Sequence, residues 1–194
     1  ALVGGQRRAR RVGDPVLGFG THQPVARACK TPLRVGDLGG RPDSAGEADI
    51  GQSGELLGLR FTPVADVPVY HPDVRAWKVT NAASELVGLW YFDPYARPGK
   101  RSGAWMNAYR SQERFEREIR TIVSNNSNFV QGKPGEPILI SWTDAETLFH
   151  EFGHALHGLS SNVTYPSLAG TSVTRDFVEF PSQILEHWLS TPEV

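Results

Sequence analysis

Residues 143–159 combine an apolar helical face with a cluster of histidines, and this segment constrains the fold more than any other part of the chain. Its apolar side chains recur at the spacing of an α-helix that buries one face: Leu148, Phe152, Ala155, Leu156 and Leu159. The residues TDAE at 143–146 have the form of a capping box, and glycine and polar residues at 158–162 supply a stop. The pattern predicts a helix over residues 143 to about 159.

The five residues HEFGH, at positions 150–154, lie on the polar side of this predicted helix. Histidines four residues apart lie one turn apart on the same face, so His150 and His154 can both reach a single ion. Neutral imidazole suits Zn²⁺, and Glu151 is placed to exchange a proton with an attacking water without binding the ion itself. The alternative is a helix whose histidines lie on a solvated surface, but the amphipathic context and the carboxylates downstream favour a zinc site with Glu151 as catalytic acid/base.

The residues after HEFGH exclude one form of this site. The longer pattern HExxHxxGxxH needs a glycine and then a histidine where this chain has His157 and Ser160. The other common arrangement takes a carboxylate from a second helix as the third ligand. His157 is then interpreted as a residue of the polar helix face.

A second helix is predicted over residues 175–189, with a perturbation at Pro181. It offers three carboxylates as third ligand, namely Asp176, Glu179 and Glu186. Spacing alone favours Glu179 over Glu186 only modestly, and a solvated helix face is the alternative for either.

Residues 1–52 differ in composition from the rest of the chain. They contain half of the 20 glycines, an arginine cluster (RRARR at 7–11) and no sustained apolar periodicity, so we expect this stretch to be poorly ordered. Three interpretations compete: a leader foreign to the native protein, a targeting peptide, which Asp14 argues against, and a basic arm that contacts nucleic acid. The domain assignment is therefore an unassigned leader at 1–52 and a partial catalytic domain at 53–194.

Overall composition narrows the class of protein. The formal net charge of -1 argues against attraction to nucleic acid or anionic lipid, and no apolar run approaches the ~20 residues of a membrane span. A single cysteine, Cys29, fits a reducing compartment, and without a secretory signal at the start we predict a cytoplasmic location. The chain begins with Ala1 and ends at Val194, and we interpret it as a fragment.

The middle of the chain carries strand signals. Residues 74–80 alternate in polarity and residues 86–92 form a continuous apolar run, which together predict a hairpin. Residues 113–123 are ambiguous, because their apolar side chains fit helical spacing and strand alternation equally. Residues 131–137 are predicted to form a loop.

Four segments make the chain recognisable. HEFGHALHGL at 150–159 and YPSLAGTSVTRDFVEFPSQILEHW at 165–188 resemble the thimet oligopeptidase and oligopeptidase A family of zinc metallopeptidases. VPVYHPDVRAW at 67–77 and YARPGKRSGAWM at 95–106 are similar to its peptidyl-dipeptidase (dipeptidyl carboxypeptidase) branch. The resemblance covers residues 53–194.

The resemblance implies a fold and a set of site residues. The implied fold is mainly α with a small β-sheet: a zincin-like partial catalytic domain with an HExxH helix, a second ligand-bearing helix and a strand at 119–124. It implies one zinc ion per chain, held by His150, His154 and Glu179. It also implies that Glu146 supports a ligand histidine, a role that competes with the capping box.

The implied activity is hydrolysis of peptide bonds in short peptides. Release of C-terminal dipeptides is the preferred specificity, and a general oligopeptidase is the alternative. Residues 102–105 are a hypothetical edge along which an extended peptide pairs. Family members are several times longer and supply carbonyl-polarising residues beyond Val194, so we expect the fragment alone to be weak or inactive. A zinc-binding fragment without catalysis and a nucleic-acid-binding arm at RRARR are the competing hypotheses.

Overall fold

The structure, a computed structural model, describes residues 57–131 and 138–190. The leader predicted at 1–52, with its arginine cluster and Cys29, lies outside the described residues. So does most of the loop predicted at 131–137. Within the described ranges, no helix combines the length and the apolar character that crossing a membrane requires.

One mixed sheet of five strands, in the order β1-β2-β3-β5-β4, forms the centre of the described region. Its strands are β1 (Arg60–Val64), β2 (Arg75–Thr80), β3 (Leu86–Tyr95), β4 (Trp105–Arg110) and β5 (Thr121–Phe129). The predicted hairpin is confirmed as the antiparallel pair β2 and β3. β5 then pairs in parallel with β3, and β4 lies antiparallel to β5 at one edge.

In the described part of the chain three α-helices follow the sheet, α1 (Trp142–Leu159), α2 (Arg175–Val178) and α3 (Phe180–Leu189), with a short 3-10 helix at Pro166–Leu168. Strands and helices therefore cover similar numbers of residues, and the expectation of a mainly helical fold is wrong for the described residues. That expectation was transferred from a family of much longer chains. The β-branched and aromatic residues of the strands favour the sheet that this segment forms.

Of the ambiguous segment 113–123, only residues 121–123 lie in a strand. That strand, β5, begins two residues later than the one that the resemblance implied at 119–124, and it runs on to Phe129. The alternative prediction, a helix over this segment, required Phe115 to lie on a buried helix face. The side chain of Phe115 is 58% exposed in the structure. The buried residues of β5 include a polar run, Ser124, Asn125, Asn126 and Ser127. Such a run gives no apolar periodicity, so local pattern could not identify it.

Helix α1 begins one residue earlier than predicted. Its N-cap is Ser141, whose side chain accepts from the amide of Asp144, while Asp144 accepts from the amide of Ser141. The capping box is therefore formed by Ser141 and Asp144, not by Thr143 and Glu146. Its last residue is Leu159, as expected.

The predicted second helix is divided into α2 and α3, and Glu179 lies at the junction. Pro181 lies in the first turn of α3, where its missing N–H costs no intrahelical hydrogen bond. The predicted perturbation at this proline thus takes the form of a helix break immediately before it.

The apolar face of α1 packs on one face of the sheet. The core cluster contains the predicted helix residues together with Trp77, Val79, Trp90, Phe92 and Val123. Trp90 is fully buried, and its ring lies 5.0 Å from that of Phe152 in an edge arrangement. Because this face of α1 is fixed against the sheet, the histidine face is directed toward α3.

Candidate metal centre

Three side chains from two segments converge beside α1. Nε2 of His150 lies 3.2 Å from Nε2 of His154, and the Glu179 Oε2 atom lies 3.2 Å from both nitrogens. The donor atoms therefore form an equilateral triangle. Among the described residues, these three form the group of histidines and acids that could hold a metal ion.

This triangle fits a tetrahedral zinc site. Bonds of ~2.0–2.1 Å to a central ion place neighbouring ligand atoms about 3.3–3.4 Å apart. Two imidazole nitrogens that face each other at 3.2 Å would oppose their lone pairs unless a cation or a proton lies between them. Burial lowers the pKa of His154 despite the nearby Glu179 carboxylate, which favours the neutral imidazole that binds metals.

Gly153 allows the two helices to approach closely enough for this convergence. A Cβ atom at Gly153 would lie 2.6 Å from Cα of Ser182 and 2.8 Å from the carbonyl oxygen of Pro181. Both are backbone atoms, which cannot rotate away. The glycine inside HEFGH therefore sets the distance between α1 and α3, and with it the reach of Glu179.

Ser182 holds the carboxylate of Glu179 in place. Its side chain is fully buried, and its hydroxyl lies 2.9 Å from both the main-chain oxygen and Oε2 of Glu179. The oxygen that Ser182 contacts is the same one that faces the two histidines. The carboxylate of Glu179, at a helix junction where the backbone changes direction, thus receives local support.

A second carboxylate contacts the ring nitrogen of His150 that does not face the triangle. Nδ1 of His150 forms a hydrogen bond with Oε1 of Glu186. A proton held on Nδ1 leaves Nε2 free to face Glu179 and His154, which is the usual way a ligand imidazole is oriented. Glu186, considered above as a ligand, lies in this supporting position.

Glu146, for which the resemblance implied such a supporting role, makes a different contact in the structure. Its Oε1 accepts a hydrogen bond of 2.9 Å from the indole N–H of Trp142. It also lines a cavity of about 440 Å³ together with Thr143, Thr147, His150, Glu151 and Glu186. Its support of a ligand histidine remains a prediction.

Glu151 is only 9% exposed and lies between the two histidines in sequence. Burial raises the pKa of its carboxyl group; the neighbouring Glu179 acts in the same direction, while His150 and the main-chain amide of Met106 act in the opposite one. A carboxyl group with a raised pKa is better matched to proton transfer near neutral pH.

His157 does not join the triangle. Its ring contacts that of Phe177 at a centroid distance of 6.0 Å. Its Nδ1 atom and that of His154 are both buried, without a hydrogen-bond partner in the described part of the chain.

Sequence reasoning missed the roles of Gly153, of Ser182 and of Asn125, whose side-chain amide on β5 donates a hydrogen bond to the main-chain carbonyl of Glu151. Weak signals existed for two of them: a small residue within HEFGH, and a serine three residues after Glu179 on a predicted helix. Asn125 gave no signal, because its contacts join a strand to a helix distant in sequence.

Sequence comparison with known proteins identifies relatives of this chain. The model of Peptidase family M3 matches residues 50–194. The chain is 46% identical over 140 residues to a dipeptidyl carboxypeptidase of Salmonella typhimurium, covering 72% of this chain and 20% of that protein. It is 40% identical over 144 residues to oligopeptidase A of Escherichia coli, covering 71% and 21% respectively.

A further relative is a mitochondrial intermediate peptidase of Schizosaccharomyces pombe, 36% identical over 165 residues, with 72% of this chain and 22% of that protein covered. The chain thus spans about a fifth of the length of the curated relatives it matches. The matched region contains all three side chains of the triangle and Glu151. The chain belongs to peptidase family M3.

Proposed function

We propose that this chain is the metal-binding core of a zinc peptidase that hydrolyses short peptides. One zinc ion per chain is held by His150, His154 and Glu179. The observation that carries the proposal is the 3.2 Å triangle of donor atoms beside a buried carboxylate. The dipeptidyl carboxypeptidase and oligopeptidase names of the relatives support a peptide substrate.

The chemistry is divided between the ion and Glu151. When bound, zinc would supply a Lewis acid that polarises the scissile carbonyl and activates water. Glu151 accepts a proton from the attacking water and passes it to the leaving amine. Glu186 keeps the proton of His150 on Nδ1, and Ser182 holds the Glu179 carboxylate.

The preferred specificity is release of dipeptides from free C-termini, since the dipeptidyl carboxypeptidase shares 46% identity with the chain. A general oligopeptidase is the second candidate, supported by 40% identity to oligopeptidase A. Both activities are proposed for a longer polypeptide that includes this segment. The chain alone is proposed to bind zinc with weak or no turnover.

Strand β4 is the proposed contact for the substrate backbone. It lies at the edge of the sheet, with β5 on one side and no partner strand on the other among the residues that the structure describes. Met106 in this strand has its main-chain amide near the Glu151 carboxylate. An extended peptide that adds to this edge would place a peptide bond near Glu151.

Zinc content measured by elemental analysis tests the metal site. We expect close to one zinc per chain in the unmodified protein and in Asp176→Asn, an acid on α2 outside the triangle, and a sharp loss in Glu179→Ala. No zinc in the unmodified protein would overturn the metal assignment.

Peptide cleavage tests the role of Glu151. In the full-length protein, Glu151→Gln should keep its zinc and lose about 10²–10⁴-fold in kcat. Retained turnover in this variant would exclude Glu151 as the acid/base. Mass spectrometry of the products from peptides with free and with blocked C-termini separates the two specificities. Release of dipeptides only from free C-termini would indicate the preferred specificity.

A further inference from the structure

A loop between β3 and β4, residues 97–104, is held to the neighbouring strands by its own Lys100 and by Asn128 on β5. We propose that Asn128 and Lys100 are positioning residues that fix this loop, and through it the edge of β4, for the backbone of a bound peptide. The inference rests on the proposed function, because it concerns how the substrate is held beside the metal centre.

Lys100 anchors the first half of the loop. Its side chain is 3% exposed. Its ammonium group lies within hydrogen-bond distance of the main-chain oxygens of Asp93, Tyr95 and Ser127, at 2.9, 2.8 and 2.5 Å, and 3.0 Å from Oδ1 of Asp93. Three N–H groups thus face four acceptors on β3 and β5. A cation held in this way has no donor left for a ligand, so its role is structural.

Asp93 completes this anchor. Its carboxylate accepts two hydrogen bonds from Arg97, at 2.6 and 2.7 Å, in addition to the contact with Lys100. Arg97 is the first residue of the loop and Lys100 its fourth. The paired carboxylate therefore ties the beginning of the loop to the end of β3 at two points.

Asn128 anchors the second half. Its side-chain amide donates to the carbonyl oxygens of Arg101, at 2.8 Å, and Gly103, at 2.6 Å. Both of its N–H groups are used, and both acceptors are main-chain atoms just before β4. One side chain on β5 therefore sets the direction of two loop carbonyls that lie two residues apart.

The loop conformation depends on this anchoring. Gly99 and Gly103 have φ values of 82° and 86°, and a Cβ atom at either would meet nothing within 4 Å. Glycine is needed there for its backbone conformation, not for space. Two such flexible positions in a short loop give the chain many alternatives, which the contacts of Lys100 and Asn128 exclude.

The anchored loop leads directly to the metal centre. Trp105 begins β4, and the guanidinium of Arg101 lies 4.8 Å from the centre of its ring. The next residue, Met106, packs against Gly158 on α1, and its Cε atom would lie 3.0 Å from a Cβ there. A change in the loop backbone would therefore shift the strand edge that lies beside Glu151.

Hydrogen–deuterium exchange and peptide affinity test the proposal in the full-length, zinc-loaded protein. Asn128→Asp keeps the shape of the side chain but faces two carbonyl oxygens with a carboxylate; Asn128→Ala removes the contact without repulsion. The matched control is Asn81→Asp at the β2–β3 turn, which also loses an amide donor, to Glu85. The affinity probe is penta-alanine with a free C-terminus, titrated by calorimetry into a Glu151→Gln background.

We expect faster amide exchange over residues 97–106 in both Asn128 variants and about tenfold weaker binding of penta-alanine, the effect of losing well-placed hydrogen bonds. In the cleavage-competent protein KM should rise by the same factor, with kcat within about twofold, because the contact acts on ground and transition states alike. The zinc content of the Asn128 variants should equal that of the parent protein. The Asn81→Asp control should keep the parent's amide exchange over residues 97–106 and its affinity for penta-alanine.

Three results would overturn the proposal. They are faster exchange in the Asn128 variants with unchanged affinity for penta-alanine, a fall in kcat at constant KM, and no binding of penta-alanine to the protein in which Asn128 is intact. If the parent protein binds penta-alanine but does not cleave it, the proposed function fails. The affinity difference between Asn128→Asp and the control still decides the inference in that case.

Discussion

The side-chain amide of Asn125 donates a hydrogen bond to the main-chain carbonyl of Glu151, 2.5 Å away. Asn125 is fully buried on β5, and its Oδ1 accepts from the indole N–H of Trp90 at 2.6 Å. The sheet and α1 are thus joined by a polar contact at the residue proposed to carry the proton. Packing alone would allow α1 to slide along the sheet, whereas this bond fixes its position at Glu151.

Removal of this contact should destabilise the protein. Asn125→Ala leaves the Trp90 N–H buried without its acceptor and creates a cavity, so we expect a loss of about 2–4 kcal/mol in the free energy of unfolding. Urea denaturation measures it. Asn107→Ala, on the exposed surface of β4, should change stability by less than about 0.5 kcal/mol. Equal losses in both variants would contradict a specific role of Asn125.

Gly153→Ala should separate α1 from α3 and weaken metal binding. Its Cβ would meet backbone atoms of Ser182 and Pro181, so the helices must move apart and Glu179 with them. We expect at least a tenfold loss in zinc affinity, measured by competition with a chelating dye, although alanine favours the helix by about 1 kcal/mol.

Gly158→Ala is the comparison for that experiment. The Cβ there would meet side-chain atoms and no backbone atoms, namely Cγ1 of Val123 and Cε of Met106, and the flexible end of Met106 can adjust. A smaller loss is expected, and an equal or larger one would show that backbone contact at Ser182 does not determine the affinity.

Replacement of Glu186, whose carboxylate contacts Nδ1 of His150, should weaken zinc binding without abolishing it. Glu186→Gln removes the charged acceptor at Nδ1 of His150, for which we expect a 10–100-fold loss of affinity. Glu146→Gln is the matched variant, since Glu146 contacts Trp142 in the structure. A larger effect at Glu146 would favour the supporting role that the sequence resemblance implied.

The Asp93 cluster should make stability depend on pH in the acid range. Burial acts to raise the pKa of Asp93, but the hydrogen bonds from Arg97 and Lys100 outweigh it and hold the pKa below the ordinary value. The stabilisation is therefore present above the unfolded pKa of about 3.9 and is lost as pH falls through the folded pKa.

Asp93→Asn tests this prediction. At pH 7 it should cost about 3 kcal/mol, because the buried ammonium of Lys100 and the partly exposed guanidinium of Arg97 lose their counter-charge. The difference from the parent protein, measured by urea unfolding at several pH values, should shrink below about pH 4. A difference that is independent of pH would mean that the carboxylate charge contributes nothing.

The sequence predicted contacts between residues that are close together in the chain better than contacts between distant segments. His150 and His154 are four residues apart on one helix, so their convergence follows from helix geometry alone. The same holds for the apolar face of α1. Glu179 needed the family resemblance, because spacing within the second helix did not distinguish it clearly from Glu186.

Other features depend on contacts between segments that are distant in sequence, so local sequence pattern could not predict them. Asn125 bonds to a residue 26 positions away, and the parallel pairing of β3 with β5 follows from the whole topology. The mainly helical content was wrong for the described residues because it was transferred from longer chains, and the capping box lies two residues earlier than predicted, at Ser141. The cytoplasmic location and the leader at 1–52 stay predictions.

The contact of Gly153 with Ser182 has a consequence for the relation between folding and metal binding. Two of the proposed ligands belong to α1, whereas the third, Glu179, is in place only when α3 docks against it, so high affinity for the ion is expected only in the docked form. Mass action then requires the ion to stabilise that docking by RT ln(1 + [Zn²⁺]/Kd). Helix docking and occupancy of the proposed zinc site are thus linked equilibria, so that free zinc should add to the stability which apolar packing already gives to the docked helices.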